Sequence, residues 1–253
     1  MLFYSNFGNA HSGYDRKSVK KIFYTGENTR PNFEECDFAF SFDQPDGLRN
    51  YRLPLWIFYI NWFGRPLNEA RDMSYLLDPK RLLERKGLKK KDKFCNFIYY
   101  HDTPQRRSFF QKLSLYKRID SGGALLNNIG HEVMGRQDQQ YKVDFISEYK
   151  FTITFENSSY PGYATEKILH PLYAGSIPIY WGSPLIGRDF NEKAFLNLHN
   201  FSSEENLIEE IIKIDKDDSL YEKMLREPVF NNNQFPDFCL PENVLGFIER
   251  KIL

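Results

Sequence analysis

Residues 149–184, YKFTITFENSSYPGYATEKILHPLYAGSIPIYWGSP, admit few arrangements other than a strand, a short loop, a helix and a second strand. Phe151, Ile153 and Phe155 alternate with Thr152 and Thr154, a mixture of aromatic and β-branched residues that fits a strand. Asn157 to Gly162 carries the Asn, Ser, Pro and Gly that interrupt regular structure. Thr165-Glu166-Lys167 then opens a run with Ile168, Leu169, Leu172 and Tyr173 at helical spacing, and Gly175 stops it. A second apolar run begins at Ile177 and reaches Trp181. Together these make one βαβ unit of a parallel sheet, because the crossover helix has to pack back on the strands it joins.

Such a unit places its loop and helix N-terminus at the carboxyl edge of the sheet, where open α/β folds bind ligands. Unpaired amides and the positive end of the helix dipole make that edge a seat for a phosphate or diphosphate. Lys167 can neutralise phosphate charge, Glu166 can accept from sugar or ribose hydroxyls, and Tyr163 offers a flat face and a hydroxyl at the mouth. The same residues also suit a plainer reading, with Glu166 and Lys167 as a solvated first turn and Tyr163 as a packing residue. Neither a P-loop nor a GxGxxG is present to separate the two.

FENSSYPGYATEKI followed by SIPIYWGSP resembles the signature of the α-1,3/4-fucosyltransferases, glycosyltransferase family 10, and in particular its bacterial members. YTGENTRPNF, residues 24–33, is a second matching stretch. The resemblance implies an α/β fold on the glycosyltransferase-B scaffold, two Rossmann-like domains facing across a cleft. It implies an acceptor-binding domain over residues 1–90, a GDP-fucose-binding domain over 91–240, and a C-terminal helix over 241–253 that packs back on the first. Family members carry more chain ahead of the YTGEN stretch, so the first domain is read as either a natural minimal form or a truncated one. The implied reaction transfers L-fucose from GDP-β-L-fucose to the 3-hydroxyl of GlcNAc in an N-acetyllactosamine-type, Lewis-antigen-like glycan of a surface polysaccharide, with inversion.

Site residues follow position by position. Glu27 matches the family's general base, and a carboxylate at a strand end can be held within reach of an acceptor hydroxyl. Without the resemblance, a glutamate after a glycine reads as a surface turn. Lys93 to Tyr100 reads as the first strand of the second half, and Arg106 and Arg107 fall in the first turn of the helix after it. The helix dipole disfavours cations there unless an anion offsets it. The resemblance matches Arg106 to an arginine that holds the diphosphate and leaves Arg107 facing solvent. Asn157 and Glu166 match positions near the ribose and fucose hydroxyls. The donor set is therefore Arg106, Asn157, Tyr163, Glu166 and Lys167.

The remaining features mostly exclude. Basic and acidic residues balance at 34 each, so nothing steers the chain to nucleic acid. The basic run RLLERKGLKKKDK, residues 81–93, lacks interleaved aromatics and reads as a solvated linker. Cys36, Cys95 and Cys239 are scattered, which suits a reducing cytosol and neither a disulfide framework nor a zinc site. The start carries no signal-peptide pattern, and the longest apolar run, Leu53 to Ile60, is far short of the roughly 20 residues of a membrane span. A bacterial cytoplasmic enzyme, at most peripheral at the inner membrane, is expected.

The motif Asp215-Lys216-Asp217 has the form of a metal-holding DxD pair, but it follows a polar helical segment and reads as solvated loop. The five histidines are dispersed. No obligate metal or cofactor is expected, GDP-fucose being a co-substrate. The competing readings are a glycosyltransferase of the same scaffold using another nucleotide sugar, and a non-catalytic binding protein for glycans or nucleotides. A Pro45-Asp46-Gly47 turn is expected between the strand at Phe38–Phe42 and the apolar run Asn50–Ile60, and Asn127 and Asn128 read as structural turn residues.

Overall fold

A computed structural model describes residues 1–15, 17–45, 47–64, 76–85, 87–133 and 139–253. Asp46 of the Pro-Asp-Gly turn and Lys86 of the basic run lie outside the described residues.

Two parallel sheets carry the chain. The first has four strands in sequence order, β1 (Leu2–Ser5), β2 (Lys21–Tyr24), β3 (Phe38–Ser41) and β4 (Asn50–Arg52). Pro54 ends β4, and the apolar residues behind it close into a 3-10 turn, Leu55–Tyr59, instead of prolonging the strand. Helix α1 (Pro79–Glu84) follows, capped by the Asp78 carboxylate on the Lys80 amide at 2.9 Å.

The second sheet comprises β5 (Lys93–Phe97), β6 (Ile119–Ser121), β7 (Tyr149–Phe155), β8 (Ile177–Trp181) and β9 (Leu196–Asn197), in the order β6-β5-β7-β8-β9. Helices α2 (Pro104–Ser114), α3 (Gln139–Ile146) and α4 (Glu166–Ala174) cross between its strands. All seven residues of β7 are buried, since the strand sits mid-sheet with side chains covered on both faces. Helix α4 ends where Gly175 takes φ of 74°, the left-handed region that glycine enters without cost. The βαβ unit at the heart of the sequence argument is therefore β7-α4-β8, with Phe151 opposite Ile177 and Phe155 opposite Trp181.

Helices α5 (Glu204–Lys216) and α6 (Asp218–Leu225) close the far side of this sheet. The Asp215-Lys216-Asp217 stretch is not the solvated loop expected from the sequence. Asp215 is 6% exposed, on the helix face that also buries Ile211 and Ile214, and binds Lys150 Nζ at 2.9 Å and the Tyr116 hydroxyl at 2.9 Å. Asp217 caps α6 through the Ser219 and Leu220 amides. The charged spacing hid one buried, paired carboxylate beside one capping carboxylate.

One hydrophobic core runs through both halves. Ile22, Phe40 and Trp56 of the first pack with Ile168, Leu172, Tyr180 and Phe190 of the second. Helix α7 (Pro241–Phe247) brings Phe247 within 5.7 Å of the Phe40 ring and 5.1 Å of the Tyr51 ring. The three cysteines are buried and free.

Candidate functional site

The carboxyl ends of β2, β5 and β7 face a cavity of about 390 Å³ between the two sheets. Its lining includes Glu27, Arg106, Asn157, Tyr163, Glu166 and Lys167. Six positions spread over 140 residues of sequence thus meet in one space, and the folding reasons differ for each.

The start of α4 is organised by Glu156, which the sequence argument treated only as the end of a strand. Its carboxylate is fully buried and accepts from the Thr165 amide at 2.8 Å and the Thr165 hydroxyl at 2.9 Å. Lys167 Nζ lies 3.1 Å from the other carboxylate oxygen and 3.0 Å from Thr165 Oγ1. Gly182 makes room, for a Cβ there would stand 2.6 Å from Glu156 Cγ. The first turn is consequently less open than expected. The Thr165 amide is taken by Glu156, and the Lys167 amide by Thr165 Oγ1 at 3.4 Å. An anion at this edge meets side-chain cations more than free amides.

Those cations are Arg106, Lys167 and Lys142, the last contributed by α3 and not singled out from the sequence. Lys142 Nζ stands 3.8 Å from Glu166 Oε1. Burial would raise the Glu166 pKa, but Lys167 and then Lys142 outweigh it and hold the carboxyl at about 2. Burial favours the neutral amine of Lys167, and Glu156 with Glu166 reverses this, raising its pKa above the ordinary lysine value. For Lys142 burial prevails and lowers the pKa, with Glu166 opposing. Around the start of α4 the three cations outnumber the two carboxylates, Glu156 and Glu166.

Arg106 is 2% exposed. Its guanidinium donates to the Phe155 carbonyl at 3.0 Å and the His101 carbonyl at 2.9 Å, and stacks 4.1 Å over the Tyr99 ring. Backbone carbonyls therefore supply the compensation that the sequence argument sought in an anion. Arg107 points outward and pairs with Asp102, its carboxylate accepting from Nε at 3.0 Å. Asn157 is exposed at the cavity, and its carbonyl oxygen accepts from Ser158 Oγ at 3.2 Å.

Tyr163 is 2% exposed, and its ring meets Phe42 edge-on at 5.3 Å. The ring expected to be open at the mouth is buried against Phe42, although the residue still lines the cavity. Burial and then Glu156 raise its hydroxyl pKa, so the group remains a donor.

Glu27 approaches from the first sheet. Its amide donates to Thr25 Oγ1 at 3.1 Å, and Thr25 Oγ1 donates back to the Glu27 carbonyl at 3.0 Å, which fixes the turn after β2. The carboxylate is exposed and forms no hydrogen bond or ion pair with a described residue. Next to it, Asn28 donates to Ser158 Oγ at 2.7 Å and ties this turn to the Asn157–Gly162 loop across the cavity. Asn127 and Asn128 hold their own loop, Asn127 through the Gly123 and His131 carbonyls and Asn128 through Ile119 and Ser121. Among the described residues no three His, Cys, Asp or Glu side chains gather as a metal site.

The family model described as glycosyltransferase family 10 (fucosyltransferase) C-term matches residues 88–226, and that of the alpha-(1,3)-fucosyltransferase FucT N-terminal domain matches residues 1–59. An alpha-(1,3)-fucosyltransferase of Helicobacter pylori is 31% identical over 91% of this chain and 52% of its own length. A putative fucosyltransferase of Acanthamoeba polyphaga mimivirus is 36% identical over 60% of this chain and 26% of its own. The chain thus spans about half, or less, of the length of these curated relatives. A crystal structure of an alpha1,3-fucosyltransferase superposes with a TM-score of 0.78 at 29% identity, covering 98% of this chain and 76% of that one. A structure of an alpha1,3-fucosyltransferase with GDP-fucose superposes with a TM-score of 0.72 at 28% identity, covering 93% and 75%. The two-sheet architecture is the glycosyltransferase-B fold of these neighbours. By motif, by fold and by family model, the chain belongs to glycosyltransferase family 10, the fucosyltransferases.

Proposed function

We propose that the chain is an inverting α-1,3-fucosyltransferase that moves L-fucose from GDP-β-L-fucose to the 3-hydroxyl of GlcNAc in an N-acetyllactosamine-type glycan. The observation that carries this reading is the meeting of Glu27 with Arg106, Asn157, Glu166 and Lys167 around one cavity between the sheets. Relatives whose structures contain GDP-fucose and GDP share that fold, which supports a guanosine diphosphate as the guest.

In this reading the acceptor oxygen attacks the anomeric carbon while its bond to the β-phosphate oxygen breaks. Glu27, whose carboxylate pairs with no side chain among the described residues, takes the acceptor proton. Positive charge spreads over the sugar ring and negative charge grows on GDP, so Arg106, Lys142 and Lys167 stabilise the leaving group. A fixed donor aimed at developing charge is worth about 3 kcal/mol. Asn157 and Glu166 orient ribose and fucose hydroxyls, and Tyr163 shapes the wall beside them. With cations of the chain facing the diphosphate, we propose that no metal is obligatory and that transfer persists in EDTA. Three free, buried cysteines favour a reducing, cytoplasmic setting.

Incubation with GDP-fucose and a panel of type-1 and type-2 disaccharides, with product linkage read by NMR, tests the reading. A 3-linked fucosyl product on a type-2 acceptor is expected, and Glu27→Gln abolishes it while GDP binding persists. GDP binding without transfer to any acceptor, or an unchanged rate in Glu27→Gln, contradicts the assignment.

A further inference from the structure

Tyr59 closes the 3-10 turn that follows Pro54 and lines the cavity from the first half, near Leu55. Its ring rests edge-on against His170, with centroids 5.1 Å apart and planes at 81°. His170 is fully buried, and among the described residues neither ring nitrogen has a hydrogen-bond partner. Burial, then the Lys142 charge, lowers its pKa to about 3, so a neutral imidazole supports the phenol as an apolar group would. The Tyr59 hydroxyl itself makes no hydrogen bond with a described residue. Burial and then Glu166 raise its pKa, with Glu27 adding a smaller push and Lys167 opposing, so it stays a protonated donor. A half-buried phenol without a partner is a donor that a ligand can satisfy.

The proposed reaction fixes what that ligand is. With the diphosphate at Arg106 and Lys167, the anomeric carbon has to lie toward Glu27, since the attacking hydroxyl stands between them. The sugar ring then lies in the cavity that Tyr59 lines together with Glu166 and Glu27. We propose that Tyr59 is a binding residue for the transferred sugar, its phenolic O–H donating to a ring hydroxyl of the donor's 6-deoxyhexose and setting that ring against Glu27.

This rests on the fucosyl-transfer reading above, and the test keeps the two apart. Tyr59→Phe is compared with the unaltered chain in melting temperature, in calorimetric affinity for GDP and for GDP-fucose, and in kcat and KM with GDP-fucose donors lacking the 2-, 3- or 4-hydroxyl. The expected result is unchanged melting and GDP affinity, with kcat/KM for GDP-fucose down about tenfold. One of the three deoxy donors loses as much with the unaltered chain and nothing more with Tyr59→Phe. Equal weakening of GDP and GDP-fucose, or losses that multiply with all three donors, overturns the tyrosine assignment while fucosyl transfer stands. Failure of the unaltered chain to bind GDP overturns both.

Discussion

Arg52, the last residue of β4, donates to both carboxylate oxygens of Asp189 at 2.8 and 2.5 Å, with both side chains buried. Trp56 Nε1 adds a third donor at 3.2 Å, and the Arg52 guanidinium lies 5.0 Å under the Phe238 ring. The pair joins the first half to the second behind the cavity. Removing one partner of a buried pair leaves the other uncompensated, at a cost of about 3–5 kcal/mol. Arg52→Ala and Asp189→Ala should each lower unfolding free energy by that amount in urea titrations. A loss below about 1 kcal/mol, the range of a surface pair, contradicts the interlock.

Gly162 stitches the same junction at the cavity's edge. Its φ is +88°, its amide donates to Ser183 Oγ at 2.8 Å, and a Cβ there would stand 2.4 Å from the Phe42 carbonyl oxygen. Gly162→Ala should cost about 1–3 kcal/mol through left-handed strain and the backbone clash. Thermal melts check it, and an unchanged midpoint shows that the loop is not held between the halves.

His170 and Glu166 give stability a pH dependence with one sign. Folded His170 accepts its proton only near about 3, against 6.5 for the free group, so the unfolded chain binds the extra proton in between. Stability therefore falls as pH drops from 6.5 toward 3. Glu166, depressed from 4.5 to about 2, adds a loss only below 4.5. His170→Leu should flatten the slope of unfolding free energy between pH 6.5 and 4.5 and reduce it between 4.5 and 3, where only the Glu166 contribution then remains. An unaltered slope between pH 6.5 and 4.5 contradicts the neutral, buried imidazole.

Much of this site was legible because it lies in one local unit. The β7-α4-β8 pattern follows from period, Thr165 as a cap and Gly175 as a stop, all short-range effects. Glu156, Lys142 and Tyr59 were not legible, since each matters through partners remote in sequence: Thr165 and Lys167 for Glu156, Glu166 for Lys142, His170 for Tyr59. Asp215 failed for a related reason. Its helix spacing placed it with Ile211 and Ile214, but nothing local announced that Lys150 would meet it there. Tyr163 illustrates the converse, a residue whose motif suggested a ligand face and whose ring the Phe42 contact claims.

Fucosyl transfer as proposed requires the start of α4 and Arg106 to grip a guanosine diphosphate. Calorimetric titration of GDP and UDP into the unaltered chain and Lys167→Ala tests it most directly. GDP binding, no measurable UDP binding, and a loss in GDP affinity of about 100-fold in the variant, the equivalent of one charged contact of roughly 3 kcal/mol, are expected. UDP bound in preference to GDP, or GDP affinity indifferent to Lys167→Ala, would contradict it.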